Sequence, residues 1–277
     1  MMSFVRRWIS ILHNASVLTY ESHCIGIAKG AAYSALFAFF PVLTTIAILL
    51  VRFRARAVSQ VLASQLQQVV PPGSEDLVLA QFTVRGERPA VVLIGSILVA
   101  IYAASGIMLS LIEGFDATYR IPNRGLIRQR AIAALLVVLA VVPAVTASTL
   151  ILFGDRTERF ALAWLRDAVA SDGLLWIGQL ARVSISLVAA ALGAATLYRL
   201  APNKPMRWNE VWSGAILATL LWYAATYAFR FYVANLANYN VLYGSVATVI
   251  ALSVWLYLLA LIALYGCAIN AVRRPLN

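Results

Sequence analysis

Asn240-VLYGSVATVIALSVWLYLLALIALYGCAIN-Ala271 contains no Asp, Glu, Lys or Arg, and it lies in a charge-free run of 42 residues from Phe231 to Val272. A water-soluble helix of that length would need a polar face. This stretch is apolar on every side, which only a bilayer or a large buried core accommodates. It therefore predicts a membrane-spanning helix.

Small residues recur along this predicted helix at helical spacing. Gly244 and Ala247 belong to one face, and Ala263, Gly266 and Asn270 belong to another. In lipid, small residues let two helix backbones approach closely, because apolar burial against another helix contributes little there. We therefore expect this helix to be central to a bundle.

The composition extends the interpretation to the whole chain, which is 62% apolar and 12% charged, with a net charge of +11. Soluble proteins are about one quarter charged, so these values indicate a polytopic membrane protein. We predict an all-α fold with six transmembrane helices and amphipathic interfacial helices. The predicted spans are residues 31–51, 90–112, 131–154, 176–198, 211–229 and 243–270.

The segments outside the spans are short and amphipathic. Residues 1–30 lack the features of a cleavable signal peptide, and their apolar residues fall on one helical face, which predicts a helix in the interface plane. Residues 31–272 form the predicted transmembrane domain, and residues 273–277 form a tail. The loops at residues 52–88 and 155–172 are also expected to lie against the membrane surface.

The distribution of charge predicts that both termini are cytoplasmic. With that orientation, twelve Lys and Arg lie on the inner side and nine on the outer side, and the net charges are +8 and +2. This agrees with the positive-inside tendency. Loops of this charge suit contact with anionic lipid head groups. A nucleic-acid partner would also suit the charge, but no motif indicates one.

Two spans contain a proline near their centre, Pro41 and Pro143. Such a residue frees a backbone carbonyl and bends the helix, either as a plain packing kink or as part of a substrate site. Arg182 is the one formal charge inside a predicted span. It is either an interfacial anchor that snorkels outward or a contact for an anionic lipid head group.

Catalytic signatures are absent from the sequence. Cys24 and Cys267 lack metal-ligand spacing, so free thiols are expected, with neither a metal nor a cofactor. Glu113 and Asp116 share a predicted helix face and are flanked by arginines, so we expect an interfacial salt-bridge network. Those arginines are Arg120, Arg124, Arg128 and Arg130. The sequence does not favour an enzyme.

The chain resembles the YihY/BrkB family of bacterial inner-membrane proteins, formerly called ribonuclease BN. Three blocks carry the resemblance: GAAYSALFAFFPVL at residues 30–43, the stretch at residues 197–245 that begins LYRLAPNKPMRWNEVWSG, and WLYLLALIALYGCAINA at residues 255–271. It implies six helices, cytoplasmic termini, and a link of some members to envelope integrity and virulence.

The family motif also marks packing positions and one departure. The packing positions are Gly214, Tyr243, Gly244, Trp255, Gly266 and Asn270. Family members often carry Glu where this chain has Ala268, so a function that needs this carboxylate is in doubt here.

Two function hypotheses remain open at this point. One is transport or handling of a lipid or other amphiphile in envelope maintenance, which the two proline-containing spans and the arginine within a span favour. The other is an accessory or scaffold membrane protein that organises partners through its amphipathic segments. Ribonuclease activity is disfavoured, because metal-dependent phosphodiester cleavage needs clustered carboxylates or histidines.

Overall fold

The computed structural model describes residues 2–52, 90–122, 124–141, 172–204, 206–235 and 240–274. The regular structure in these ranges is helical, as predicted, and consists of seven helices. They are α1 (Met2–Glu21), α2 (Cys24–Arg52), α3 (Ala90–Thr118), α4 (residues 126–141), α5 (Asp172–Leu200), α6 (Trp208–Asn235) and α7 (Asn240–Arg273).

Four of these helices are long and apolar enough to cross a membrane, over Cys24–Ile46, Val91–Thr118, Trp208–Tyr232 and Val249–Arg273. A fifth apolar stretch, Ser184–Leu200, is shorter. The multi-pass character is therefore confirmed. Six spans are not, because the predicted third span continues past residue 141 into residues outside the described ranges. Pro143 and the loops at residues 53–88 and 155–171 also lie outside them.

The helices extend beyond the predicted spans at one end of the bundle. α2 starts at Cys24 and α3 continues to Thr118, although Lys29 and Glu113 interrupt the charge-free runs. The predicted boundaries of these spans lie next to charged residues. A helix, however, continues through a charged residue wherever that side chain reaches solvent, so helix ends and hydrophobic ends need not coincide.

α7 is the central helix, as expected from its small residues. It packs against α1, α2, α3 and α6, while α2 pairs with α3 and α5 pairs with α6. Small residues allow the α2–α3 contact, because a Cβ added at Gly106 would lie 3.3 Å from Ser34, and one at Gly30 would lie 3.8 Å from Ser110. The bundle thus consists of two helix pairs, α2–α3 and α5–α6, each packed against α7.

Four chain segments meet at one end of the bundle, here called the loop end. They are the α1–α2 turn, the α3–α4 loop, the α5–α6 loop and the last turn of α7. The α1–α2 turn reverses through His23, whose φ of 54° is left-handed. Glu21 in this region lies 3.6 Å from Arg120 of the α3–α4 loop, and Arg274 lies 3.6 Å from Met206 of the α5–α6 loop.

α1 is a helix, as predicted, and it lies against the last turns of α7. Ala15 is completely buried against Ala268 and Ile269. The Tyr265 hydroxyl donates to the Leu12 carbonyl at 3.1 Å. Ala268 therefore fills the contact between α1 and α7, and a methyl group suits this close approach.

Candidate functional site at the loop end

Asp116, in the last turn of α3, is a completely buried acidic residue. Its Oδ1 accepts a hydrogen bond from the backbone N–H of Asn203, in the α5–α6 loop, at 2.7 Å. Its Oδ2 has no hydrogen-bond partner among the described residues. A buried carboxylate that accepts a backbone N–H orders the loop that supplies it, because an unmade bond there would leave both groups desolvated.

Arg124, in the α3–α4 loop, binds the same neighbouring loop. Its Nη1 donates to the Ala201 carbonyl at 2.7 Å and its Nη2 to the Pro202 carbonyl at 2.6 Å. In the opposite direction, Asn203 Nδ2 donates to the Pro122 carbonyl at 2.8 Å. We call Asp116, Arg124 and Asn203, with these three carbonyls, the loop cluster. It ties the α3–α4 loop to the α5–α6 loop.

The electrostatics of the loop cluster follow from partial burial. Desolvation lowers the pKa of the Arg124 guanidinium, and the nearby Asp116 carboxylate opposes that shift. Arginine stays protonated at any working pH, since its ordinary pKa exceeds about 12. The guanidinium therefore keeps its planar fork, which suits two adjacent carbonyl oxygens better than an ammonium group would.

The predicted salt-bridge network around Glu113 and Asp116 is wrong. Asp116 is buried and binds a backbone N–H, whereas Glu113 is exposed. Residues three apart on a helix differ by about 60° in direction, so the edge of the buried face can pass between them. Among the arginines, Arg120 pairs with Glu21, Arg124 binds carbonyls, and Arg130 reaches Tyr102 on α3.

Buried thiols and tyrosines lie next to the loop cluster. Cys24 Sγ lies 3.5 Å from Thr118 Oγ1, and both cysteines are free, as predicted, and are also buried. Burial raises the pKa of the Tyr119 hydroxyl, which contacts Cys267. These groups continue the polar contacts from the loop end into the bundle.

A second structured region, which we call the helix crossing, joins α6 to α7 through Gly214, Gly266 and Asn270. A Cβ added at Gly214 would overlap the Gly266 carbonyl oxygen, and one added at Gly266 would overlap the Tyr198 hydroxyl. Asn270 Oδ1 accepts the Gly214 N–H at 2.6 Å, and its Nδ2 donates to the Val211 carbonyl at 3.2 Å. Only glycine allows backbones to approach this closely.

The other predicted site residues are less informative. Pro41 lies inside α2, and one turn later Thr45 Oγ1 lies 2.9 Å from the carbonyl oxygens of both Pro41 and Ser96. Trp255 stacks on Phe229 with ring centroids 6.0 Å apart. Arg182 belongs to α5, and Tyr243 and Gly244 belong to α7, but the side chains of Arg182 and Tyr243 and the surroundings of Gly244 are outside what the structure describes.

Sequence reasoning missed Arg124 and Asn203 as paired residues. A signal for them exists, because both loops contain Pro-Asn followed by a basic residue, at residues 122–124 and 202–204. Within the described ranges, no group of three or more His, Cys, Asp and Glu side chains is arranged to hold a metal ion.

A family profile described as "Virulence factor BrkB" matches residues 19–275. The "Putative ribonuclease-like protein YfkH" of Bacillus subtilis (strain 168) is 31% identical over 177 residues, which cover 64% of this chain and 63% of that protein.

Two relatives named "UPF0761 membrane protein" are also similar. The one from Janthinobacterium sp. (strain Marseille) is 24% identical over 95% of this chain and 59% of its own length. The one from Tolumonas auensis is 33% identical over 49% of this chain and 42% of its own length. The chain thus spans less than two thirds of these relatives. No solved structure matches it.

Proposed function

The chain belongs to the BrkB virulence-factor family, and on that premise we propose that it is a six-span protein of the bacterial inner membrane that binds and moves a lipid or other amphiphile in envelope maintenance. The observation that carries the proposal is the loop cluster. It joins the two helix pairs at one end, where Asp116 accepts a hydrogen bond and Arg124 and Asn203 donate them.

Such a junction can open more readily than an apolar seam. A hydrogen bond to a charged group contributes a net of about 1.5–3 kcal/mol, and this cost of opening is met only if water reaches Asp116 and Arg124 as the loops separate. The contact of α6 with α7 at the helix crossing offers no such exchange with water, since it depends on backbone proximity. We propose that the pair α2–α3 moves relative to α5–α6 when the loop cluster opens, and that this motion admits an amphiphile.

The charge of the loop end supports its placement on the cytoplasmic side. Eleven basic side chains lie there against four acidic ones, Glu21, Glu113, Asp116 and Glu210. The basic residues are Arg6, Arg7, Lys29, Arg120, Arg124, Arg128, Arg199, Lys204, Arg207, Arg273 and Arg274. Positive loops are retained on the cytoplasmic side and attract anionic lipids. Arg273 also lies over the Trp8 ring, 5.1 Å from its centroid.

Reporter fusions test this orientation. Fusions after Asn277 and within residues 74–88 should report opposite sides of the membrane, with the first one cytoplasmic. If both report the same side, the proposed number of spans is wrong.

Lipid movement is tested in reconstituted vesicles of phosphatidylglycerol and phosphatidylcholine that contain a labelled phospholipid. The purified chain should speed exchange between leaflets above the rate in protein-free vesicles, and Arg124→Lys should change that rate. Arg120→Lys is the matched control, because Arg120 lies in the same loop but is exposed. Exchange equal to that of empty vesicles would favour the accessory or scaffold function instead.

The contact of Arg182 with an anionic head group on the outer side remains a prediction. Arg182→Lys should leave the protein folded and weaken retention of anionic lipid, since lysine lacks the bidentate fork. If Arg182→Gln changes neither lipid retention nor the cellular phenotype, Arg182 is an interfacial anchor.

A further inference from the structure

Arg130 makes an unusual contact for a residue near a predicted loop. It lies in the second turn of α4, and its guanidinium carbon is 4.2 Å from the centroid of the Tyr102 ring on α3. Its Nη2 donates to the Tyr102 carbonyl oxygen at 3.1 Å. The same carbonyl accepts the hydroxyl of Ser105, a buried residue, at 2.7 Å. The arginine is therefore held against one point of α3.

That point is the middle of a membrane span. Tyr102 is equally far from Val91 and from Glu113, the two ends of the charge-free run of α3. At about 1.5 Å per residue it lies about 16 Å from either end, in a hydrocarbon layer of roughly 30 Å. An arginine that snorkelled to the loop end would instead reach the level of Glu113. The guanidinium of Arg130 is thus level with the middle of the predicted span of α3.

The charge at this depth has no carboxylate partner among the described residues. Among the described residues, the only ion pair joins Arg120 to Glu21. The four acidic side chains that the structure describes all belong to the loop end. A guanidinium carries five N–H donors, of which the described contacts use one, to the Tyr102 carbonyl. Isolated charge within a membrane is costly, and such residues mark substrate or ion pathways.

A second unsatisfied donor lies at the adjacent position. Gln129 is only 3% exposed, and its Nε2 has no hydrogen-bond partner in the described part of the chain. A buried amide without a partner is destabilising, because it loses its hydrogen bonds to water. Consecutive helix positions differ by about 100° in direction, so Gln129 lies on the buried face of α4 with Ala133 and Leu136, whereas Arg130 is directed at Tyr102.

We propose that Arg130, held on the Tyr102 ring, receives the anionic phosphate group of an amphiphile near the middle of the membrane. A phosphate oxygen pair matches the planar guanidinium fork and would neutralise the charge. The ring holds the cation in place and leaves the edge of the fork free. The choice of an amphiphile rests on the proposed function, and the site itself requires only a phosphate anion.

The test measures binding rather than movement. The full chain in nonionic detergent is titrated with phosphatidylglycerol or phosphatidylcholine in mixed micelles, and bound lipid is followed by native mass spectrometry. Arg130→Gln should weaken phosphatidylglycerol binding about tenfold, the loss expected for a charge-assisted hydrogen bond. Arg130→Lys should fall between this variant and the unsubstituted chain. Phosphatidylcholine binding should change much less.

Arg128→Gln is the matched control, because it removes the same charge from an exposed position two residues earlier on α4. Equal weakening by Arg128→Gln and Arg130→Gln, or wild-type affinity in Arg130→Gln, would overturn the site. If Arg130→Gln does not fold, Tyr102→Leu removes the ring and keeps the arginine. It should weaken binding about threefold, and unchanged affinity there would also overturn the proposal.

Inorganic phosphate, added as competitor, distinguishes the two sources of the anion. Displacement of phosphatidylglycerol at concentrations where phosphate alone saturates Arg130 would assign the site to a soluble anion. Failure to displace it would assign the site to a lipid. Arg130-dependent binding without leaflet exchange would contradict the proposed movement of lipid and leave the binding site intact.

Discussion

The helix crossing and the loop cluster hold the bundle together by different interactions, close backbone packing at the first and side-chain hydrogen bonds at the second. At the crossing, α6 and α7 approach so closely that an added Cβ at Gly214 would overlap the backbone of Gly266. At the loop cluster, Arg124 and Asn203 reach across to carbonyls of the facing loop. The crossing tolerates no added atom, whereas the cluster consists of bonds that water can replace. The helix crossing is therefore suited to a fixed contact between helices, and the loop cluster to a contact that can separate.

The largest effect is expected at the helix crossing. Gly214→Ala places a methyl group against the Gly266 carbonyl and 2.6 Å from Asn270 Nδ2, so a backbone must shift. The free energy of unfolding should fall by about 3 kcal/mol or more, the upper end of overpacking effects. Denaturant or thermal unfolding in detergent measures it.

Gly95→Ala is the control for this substitution. Gly95 also lies inside a helix, but a Cβ there meets nothing within 4 Å. Alanine should leave stability unchanged or raise it by up to about 1 kcal/mol, because glycine is a poor helix former. Equal effects at both glycines would remove the distinction between the two regions.

A somewhat smaller loss of stability than for Gly214→Ala is expected for Asn270→Leu. The substitution keeps the approximate size of a buried side chain but leaves the Val211 carbonyl and the Ser213 hydroxyl without this partner. Stability should fall by about 2 kcal/mol, the cost of unsatisfied buried groups. Asn209→Leu, at an exposed position of α6, should change it by less than about 0.5 kcal/mol in the same unfolding measurement.

A substitution in the loop cluster should change the population of the open state rather than the free energy of global unfolding. Arg124 binds the Ala201 and Pro202 carbonyls through two separate nitrogens, which the single nitrogen on the shorter side chain of Arg124→Lys does not match, and the loss of one charge-assisted bond should raise the open population about tenfold. The rate at which N-ethylmaleimide labels the buried Cys24, resolved by peptide mass spectrometry, reports this change. A labelling rate equal to that of Arg120→Lys would show that the loop cluster does not control access.

The smallest effect is expected at the ion pair between Arg120 and Glu21. These side chains are 80% and 56% exposed at a separation of 3.6 Å. Arg120→Gln should change stability by less than about 1 kcal/mol, and added salt should reduce the difference further. A loss as large as that of Asn270→Leu would mean that the α1–α2 turn is a structural joint of the same kind as the crossing.

The sequence was a good guide to the elements and a poor guide to the loop end. Helical class, multi-pass character and the central position of α7 followed from charge-free runs and small-residue spacing. The family motif named Gly214, Gly266 and Asn270 as packing positions, and the structure brings these three together at one crossing. The role of Arg124 could not be predicted from the sequence, because its partners are backbone carbonyls about 77 residues away in the chain.

The sequence alone determined those properties of the protein that depend on local composition. Whether a stretch of about 20 residues can cross a membrane is a property of that stretch, since the free energy of hydrophobic transfer adds up residue by residue.

The burial of a single charged side chain does not depend on local composition. Glu113 and Asp116 are both acidic and three residues apart on α3, yet one is exposed and the other buried against the α5–α6 loop. Arg130 resembled a loop charge until packing placed it beside Tyr102. Only the tertiary structure decided these cases, because the neighbours that bury or bind a side chain come from distant parts of the chain.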